Sequence, residues 1–221
     1  MIDLTKLDPA TTARHLRKPE GEIGRTLADS MSERNWSVYE AAFKRLGVLA
    51  GERLFEVGFG NGKLAPRLLA LAHGVTYTGI DFSETMVGEA EAFNRGLIEA
   101  GRAAFRFASV EEIPFAAGSF DRALTVNTIY FWPDPIRALA EIRRVLRPEG
   151  LLLVSVGNPE QMQRDPFTRH GFRLYGQARL RELHESAGFH DAEVEVYRDT
   201  APTLDRSGTM ERECLFVVSA A

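Results

Sequence analysis

The chain has 221 residues, enough for one compact domain, and its hydrophobic and charged shares of 44% and 26% are those of an ordinary globular protein. A net charge of −4 excludes attachment to nucleic acid by bulk charge. One cysteine, Cys214, excludes an internal disulfide and an all-cysteine zinc site. No apolar stretch reaches signal-peptide or membrane-span character, so a cytoplasmic protein without a stable membrane anchor is expected.

The first 47 residues read as polar and helical. A short helix over residues 11–17 should end at Pro19, and a second is expected over residues 23–31. Trp36, Tyr39, Phe43 and Leu46 fall three and four residues apart, one face of a further helix that Gly47 stops. From Arg53 onward, short apolar runs alternate with helical patterns. Strands are expected at 54–57, 75–80, 104–108, 120–126 and 151–156. Helices are expected at 63–73, 83–100, 135–146 and 177–187. Residues 157–176 read as a loop or cap, and two last strands near 192–197 and 213–218 lack a helix between them. This pattern predicts an α/β fold: a Rossmann-like, doubly wound, mostly parallel sheet with a C-terminal antiparallel hairpin. The domain organisation expected is a helical cap over 1–47 and one binding domain over 48–221. Ligands of such sheets bind beyond the carboxyl ends of the strands.

The strongest local signal lies there. Glu56-Val57-Gly58-Phe59-Gly60-Asn61-Gly62 joins a strand to a helix, and alternate glycines let backbone turn tightly and a ligand approach it. Lys63 stands where a dinucleotide fingerprint needs a small residue, and no hydroxyl follows it as a phosphate cradle requires, so NAD(P) and ATP are disfavoured. Asp81 ends the second strand, where a carboxylate can accept both hydroxyls of a ribose.

In this order, these motifs resemble the class I S-adenosylmethionine-dependent methyltransferases. Val110 to Phe115 with Gly118-Ser119-Phe120-Asp121 resembles that family's approach to the fourth strand. Arg144 to Gly150 resembles its turn before the fifth. The resemblance covers residues 50–156 and is nearest to the small bacterial group similar to the ubiquinone and menaquinone biosynthesis methyltransferases. It implies S-adenosylmethionine as cofactor, S-adenosylhomocysteine as product, and no metal. It implies that Gly58, Phe59, Gly60 and Gly62 pass under the methionine part, while Glu56 helps hold its amino group. Asp81 takes the ribose. Phe82 and Met86 flank the adenine, with Ser109, Val110 and Glu111 along its edge. Asn127 lies near the sulfonium. Ser109 stands where many relatives have aspartate, and the Pro148-Glu149-Gly150 turn has one glycine fewer than usual.

No catalytic triad is visible, and none is needed when the leaving group is a sulfonium and the work is alignment. Tyr130 and Trp132, after the fourth strand, and Met31 and Asn35, on the N-terminal helices, are the candidate acceptor contacts. Asn127-Thr128-Ile129-Tyr130 keeps only the ends of an amino-methylation motif. A small organic acceptor is expected. The alternatives are a lipid head group, suggested by the Arg14, Arg17 and Lys18 cluster, and a cofactor-binding partner protein without activity. His15, His170 and His184 are assigned to the cap segments, and His73 and His190 to helix ends.

Overall fold

The computed structural model describes residues 2–203 and 207–221. The seven strands are β1 (Arg53–Val57), β2 (Thr76–Asp81), β3 (Ala103–Phe107), β4 (Phe120–Val126), β5 (Leu146–Gly157), β6 (His190–Pro202) and β7 (Thr209–Ala220). They form one sheet in the order β3-β2-β1-β4-β5-β7-β6. The first five run parallel, and β7 pairs antiparallel with both β5 and β6. The last strand is thus inserted beside β5 and the edge is left to β6. The side chains explain this. Cys214 to Val218 is a continuous buried run, as an inner strand requires. β6 instead alternates Glu193 and Glu195 with apolar residues, which suits an edge.

Helices cover both faces. On one, α6 (Pro135–Val145) and α8 (Gln177–Ser186) bring Leu139, Ile142, Leu180 and Leu183 onto Phe55, Leu152 and Val217. On the other, α2 (Gly21–Arg45), α3 (Ala65–Leu69) and α4 (Glu84–Phe93) cover Leu54, Leu124, Leu153 and Phe216.

β5, β6 and β7 extend beyond the strands expected at 151–156, 192–197 and 213–218, so that most of the turn expected over Arg144–Gly150 lies within β5. Four helix and loop boundaries also differ from expectation. The two helices expected over 23–46 are one helix, α2, because the polar run Ser30–Asn35 contains no breaker and supplies its own buried positions, Ser30 and Asn35. Its N-terminal half extends past the sheet and its C-terminal half is core. α1 (Pro9–Arg17) precedes it, started by the Asp8 side chain. The helix expected over 63–73 shortens to α3. The one expected over 83–100 divides at Asn94 into α4 and α5 (Arg95–Glu99). There the Asn94 amide donates to the carbonyls of Gly62 and Ala90, at 3.0 and 2.9 Å. The loop expected over 157–176 carries a short helix, α7 (Pro159–Met162), and a 3₁₀ turn at Pro166–Arg169. Finally, His184 is no cap residue. It is buried behind the sheet with Nδ1 at 2.8 Å from Ser219 Oγ, and burial holds its pKa down to about 4.

Candidate active site

The glycine loop follows β1 at the carboxyl end of the sheet. Gly58, Gly60 and Gly62 all have positive φ, at 77°, 61° and 68°. The reason differs along the loop. A Cβ on Gly58 would lie 2.4 Å from Thr128 Cγ2, so the loops after β1 and β4 touch there. A Cβ on Gly62 would meet Ala90 Cβ at 2.6 Å, so Gly62 lets α4 close onto the loop. Around Gly60 nothing lies within 4 Å of an added Cβ, and this glycine faces the cavity.

That cavity has a volume of about 1030 Å³ and lies over the carboxyl ends of β1, β2 and β4. Its floor is Gly58, Phe59, Gly60, Asp81, Phe82 and Asn127, joined by Ser109 and Val110. Asp81 is 7% exposed and accepts the N–H groups of Gly60 and Ser83, at 3.1 and 2.9 Å. Burial raises its carboxyl to about 6, against the pull of those N–H groups. A carboxylate accepts about four hydrogen bonds, so two backbone donors leave room for two ligand hydroxyls. Phe82 is 38% exposed, an aromatic face open to stacking. Asn127 holds a left-handed backbone, φ 59°, and its Oδ1 accepts from Tyr130 Oη at 3.0 Å.

Beyond Asn127 the walls become aromatic. Tyr130 and Trp132 line this end, with Phe131, Phe167 and Phe172. Tyr130 is fixed from two sides, because its hydroxyl also accepts the Gly157 N–H at 2.5 Å.

The N-terminal helices close the cavity. His15, Leu16 and Pro19, and Leu27, Met31 and Asn35 on α2, all line it. Polar ties to the glycine loop and to α4 hold them there. The Asn61 amide donates to Asp29 Oδ1 at 2.8 Å, and its Oδ1 accepts from Ser32 Oγ at 2.7 Å. Lys63 Nζ pairs with Asp29 at 2.5 Å. Ser83, the N-cap of α4, donates its hydroxyl to the Pro19 carbonyl at 2.5 Å. The sequence reading missed Asn61, Asp29 and Ser32. A buried asparagine inside a glycine loop was the available signal.

Four of the expected cofactor residues do not line the cavity. Gly62 is spent on α4, as above. Met86 is fully buried beneath the loop. Glu111 turns away, and its carboxylate accepts the Asp134 N–H at 2.9 Å. Glu56 lies inside the sheet face, 2% exposed, with Tyr39 and Tyr77 each donating a hydroxyl to one of its oxygens at 2.6 Å. Burial raises its carboxyl to about 7. Among the described residues no cluster of three or more His, Cys, Asp or Glu could hold a metal, and no helix is long and apolar enough to cross a membrane.

Comparison with known proteins points to methyltransferases. Residues 55–154 match the model of a methyltransferase domain. The chain is 33% identical over 162 residues to O-methyltransferase resE of Aspergillus sclerotiorum, covering 70% of this chain and 61% of that protein. To O-methyltransferase rstn1 of Aspergillus nomiae it is 32% identical over 165 residues, covering 72% of this chain and 73% of that one. Among solved structures, a chain of the Haloferax volcanii complex between the Trm112 methyltransferase activator and a methyltransferase superposes with a TM-score of 0.72 at 22% identity, over 88% of this chain and 92% of that chain.

Proposed function

The chain belongs to the class I S-adenosylmethionine-dependent methyltransferases, and we propose that it transfers a methyl group to a small organic acceptor by in-line displacement. One observation carries this reading. A single cavity runs from the Asp81 carboxylate and the glycine loop, past Asn127, to an aromatic chamber roofed by the N-terminal helices. A nucleoside end and an acceptor end in one cavity suit a two-substrate transfer better than binding alone.

The residues fit S-adenosylmethionine. Asp81 has acceptor capacity left for two ribose hydroxyls, Phe82 offers a face to the adenine, and Gly60 leaves the backbone open to the methionine part. Ser109 and Val110 lie along the adenine edge. When bound, the cofactor supplies a methyl group already activated by its positive sulfur. The protein's part is then to align the acceptor and exclude water. α1 and the N-terminal half of α2 act as the cap, with Met31 and Asn35 at its inner surface, while the apolar residues from Val38 to Leu46 belong to the core and not to a cap over 1–47. Tyr130, locked by Asn127 and Gly157, sets the wall against which the acceptor lies. Glu56 serves the cofactor's amino group only through a water, since it is buried beneath the tyrosines and does not line the cavity.

The test is transfer of labelled methyl from S-adenosylmethionine into a fractionated cell extract. Label should enter a dialysable, organic-soluble fraction. Label in nucleic acid, protein or phospholipid, or in nothing, would reject the small-acceptor reading.

A further inference from the structure

Among the described residues, two half-buried charged side chains at the acceptor end of the cavity form no ion pair. Arg34, on α2, donates to the Pro202 carbonyl and, at 3.2 Å, to Met210 Sδ. Among the described residues no carboxylate lies within ion-pair distance of it. Asp165, at the start of the 166–169 turn, caps nothing with its side chain, and among the described residues no group donates a hydrogen bond to its carboxylate. Both are half-buried and both line the cavity. Each feels the other's charge, yet they stand beyond 4 Å. Burial raises the Asp165 carboxyl, and the Arg34 charge opposes this.

Arg34 bonds only a neutral carbonyl and a thioether, and the Asp165 carboxylate bonds nothing among the described residues, so holding both half-buried costs desolvation energy that a ligand's hydrogen bonds would offset. The surroundings specify that ligand. Arg212, the cation beside Arg34, is neutralised by Asp199, with bonds of 2.9 and 2.6 Å. It also donates to Asn35 Oδ1 at 2.9 Å. The Glu213 carboxylate is taken by Arg198 and Asn158, at 2.8 and 2.7 Å. Arg17, Arg164 and Glu211 line the cavity too, but they are exposed to water. Among the half-buried charges of the described residues at this end, what remains is one guanidinium and one carboxylate, balanced in charge. A guanidinium only donates and a carboxylate only accepts. The matching ligand carries no net charge and has one hydrogen-bond donor and one acceptor oxygen, and the aromatic lining favours an uncharged one over a zwitterion, whose two charges would both lose water. Phe131, Phe167, Phe172 and Trp132 line the same chamber.

We propose that Arg34 and Asp165 together select the methyl acceptor, and that it is a neutral hydroxyaryl carbonyl compound: its hydroxyl donates to Asp165 and its carbonyl accepts from Arg34. This rests on the methyltransferase reading above and narrows its substrate class.

The probes are 2-, 3- and 4-hydroxyacetophenone, with acetophenone, phenol and benzoate as controls. Each is titrated by calorimetry into the full-length protein saturated with S-adenosylhomocysteine. At least one hydroxyacetophenone should bind ten-fold or more tighter than acetophenone, phenol and benzoate, the gain of a hydrogen bond to a charged group. Asp165→Ala should remove its advantage over acetophenone and keep that over phenol. Arg34→Met should do the reverse. If Arg34→Met does not fold, Arg34→Lys, which keeps the charge and loses the planar fork, should still halve or better the advantage over phenol. Binding of benzoate above all others, unchanged preferences in the variants, or no binding of any hydroxyacetophenone would overturn the proposal. Saturation with S-adenosylhomocysteine is measured first. Its failure would strike the methyltransferase reading instead.

Discussion

Glu56 is a carboxyl group whose environment can be tested without knowing any acceptor. It is buried between two tyrosines, and its pKa rises from 4.5 to about 7 because burial disfavours its charged form. In the unfolded chain it ionises first, so folding loses stability as pH climbs through this window. At about 1.4 kcal/mol per tenfold change, the gap between 4.5 and about 7 corresponds to about 3 kcal/mol. The loss is absent below pH 4.5 and complete a little above 7. Glu56→Gln keeps the shape: the amide oxygen accepts from one tyrosine and the amide N–H donates to the other. It removes the titration. Urea unfolding of both proteins at several pH values, without cofactor, gives the stability difference as a function of pH. His184, lowered and so acting oppositely below its unfolded pKa, is common to both proteins and cancels, as does Asp81, raised in the same direction, apart from the small repulsion by which it adds to the Glu56 shift. The variant should gain about 3 kcal/mol on the wild type between pH 4.5 and 7.5. A difference that stays constant with pH would show that Glu56 titrates like an exposed glutamate, and that the tyrosine clasp does not desolvate it.

Asp81→Asn should weaken S-adenosylhomocysteine binding about ten-fold or more by calorimetry; wild-type affinity should fall below pH 6, where Asp81 takes up its proton, while the variant's stays flat. Gly62→Ala, with its Cβ 2.6 Å from Ala90, should cost about 1–3 kcal/mol in urea unfolding. Gly60→Ala, strained in φ but facing open space, should cost clearly less, and equal costs would contradict the packing role given to Gly62. Removal of residues 1–18, which carry α1, should leave S-adenosylhomocysteine binding within about ten-fold and abolish methyl transfer, as an opened chamber no longer excludes water.

What the sequence revealed depended on whether the cause was local. The alternation of apolar runs and helical stretches is local, and so were β4, α6 and the glycine loop with Asp81. The position of β7 was not, because strand order follows from which strand is apolar along its length. The contrast of Cys214–Val218 with Glu193 and Glu195 carried that information. Asn94 divided a helix through a bond to Gly62, 32 residues away, which no periodicity reports. The polar run Ser30–Asn35 looked like a break, although Ser32 and Asn35 point their polar groups at partners in other elements. The site divides the same way. Gly58, Gly60 and Asp81 sit at strand ends and were legible from their spacing, whereas Phe82 and Asn127 came only with the family resemblance. Arg34 and Asp165 lie 131 positions apart in chain segments without a motif, and only folding brings them to one cavity.

The central claim is that the cofactor binds between the glycine loop and Asp81, under a cap made by the N-terminal helices. Hydrogen exchange of the full-length protein with and without S-adenosylhomocysteine tests both halves at once. Amides of residues 58–62, 81–83 and 109–111 should slow on binding, and so should those of residues 11–35, held through Asn61, Asp29 and Ser83. Slowing confined to the strand-end loops, with residues 11–35 unchanged, would contradict the cap, and slowing elsewhere would contradict the site.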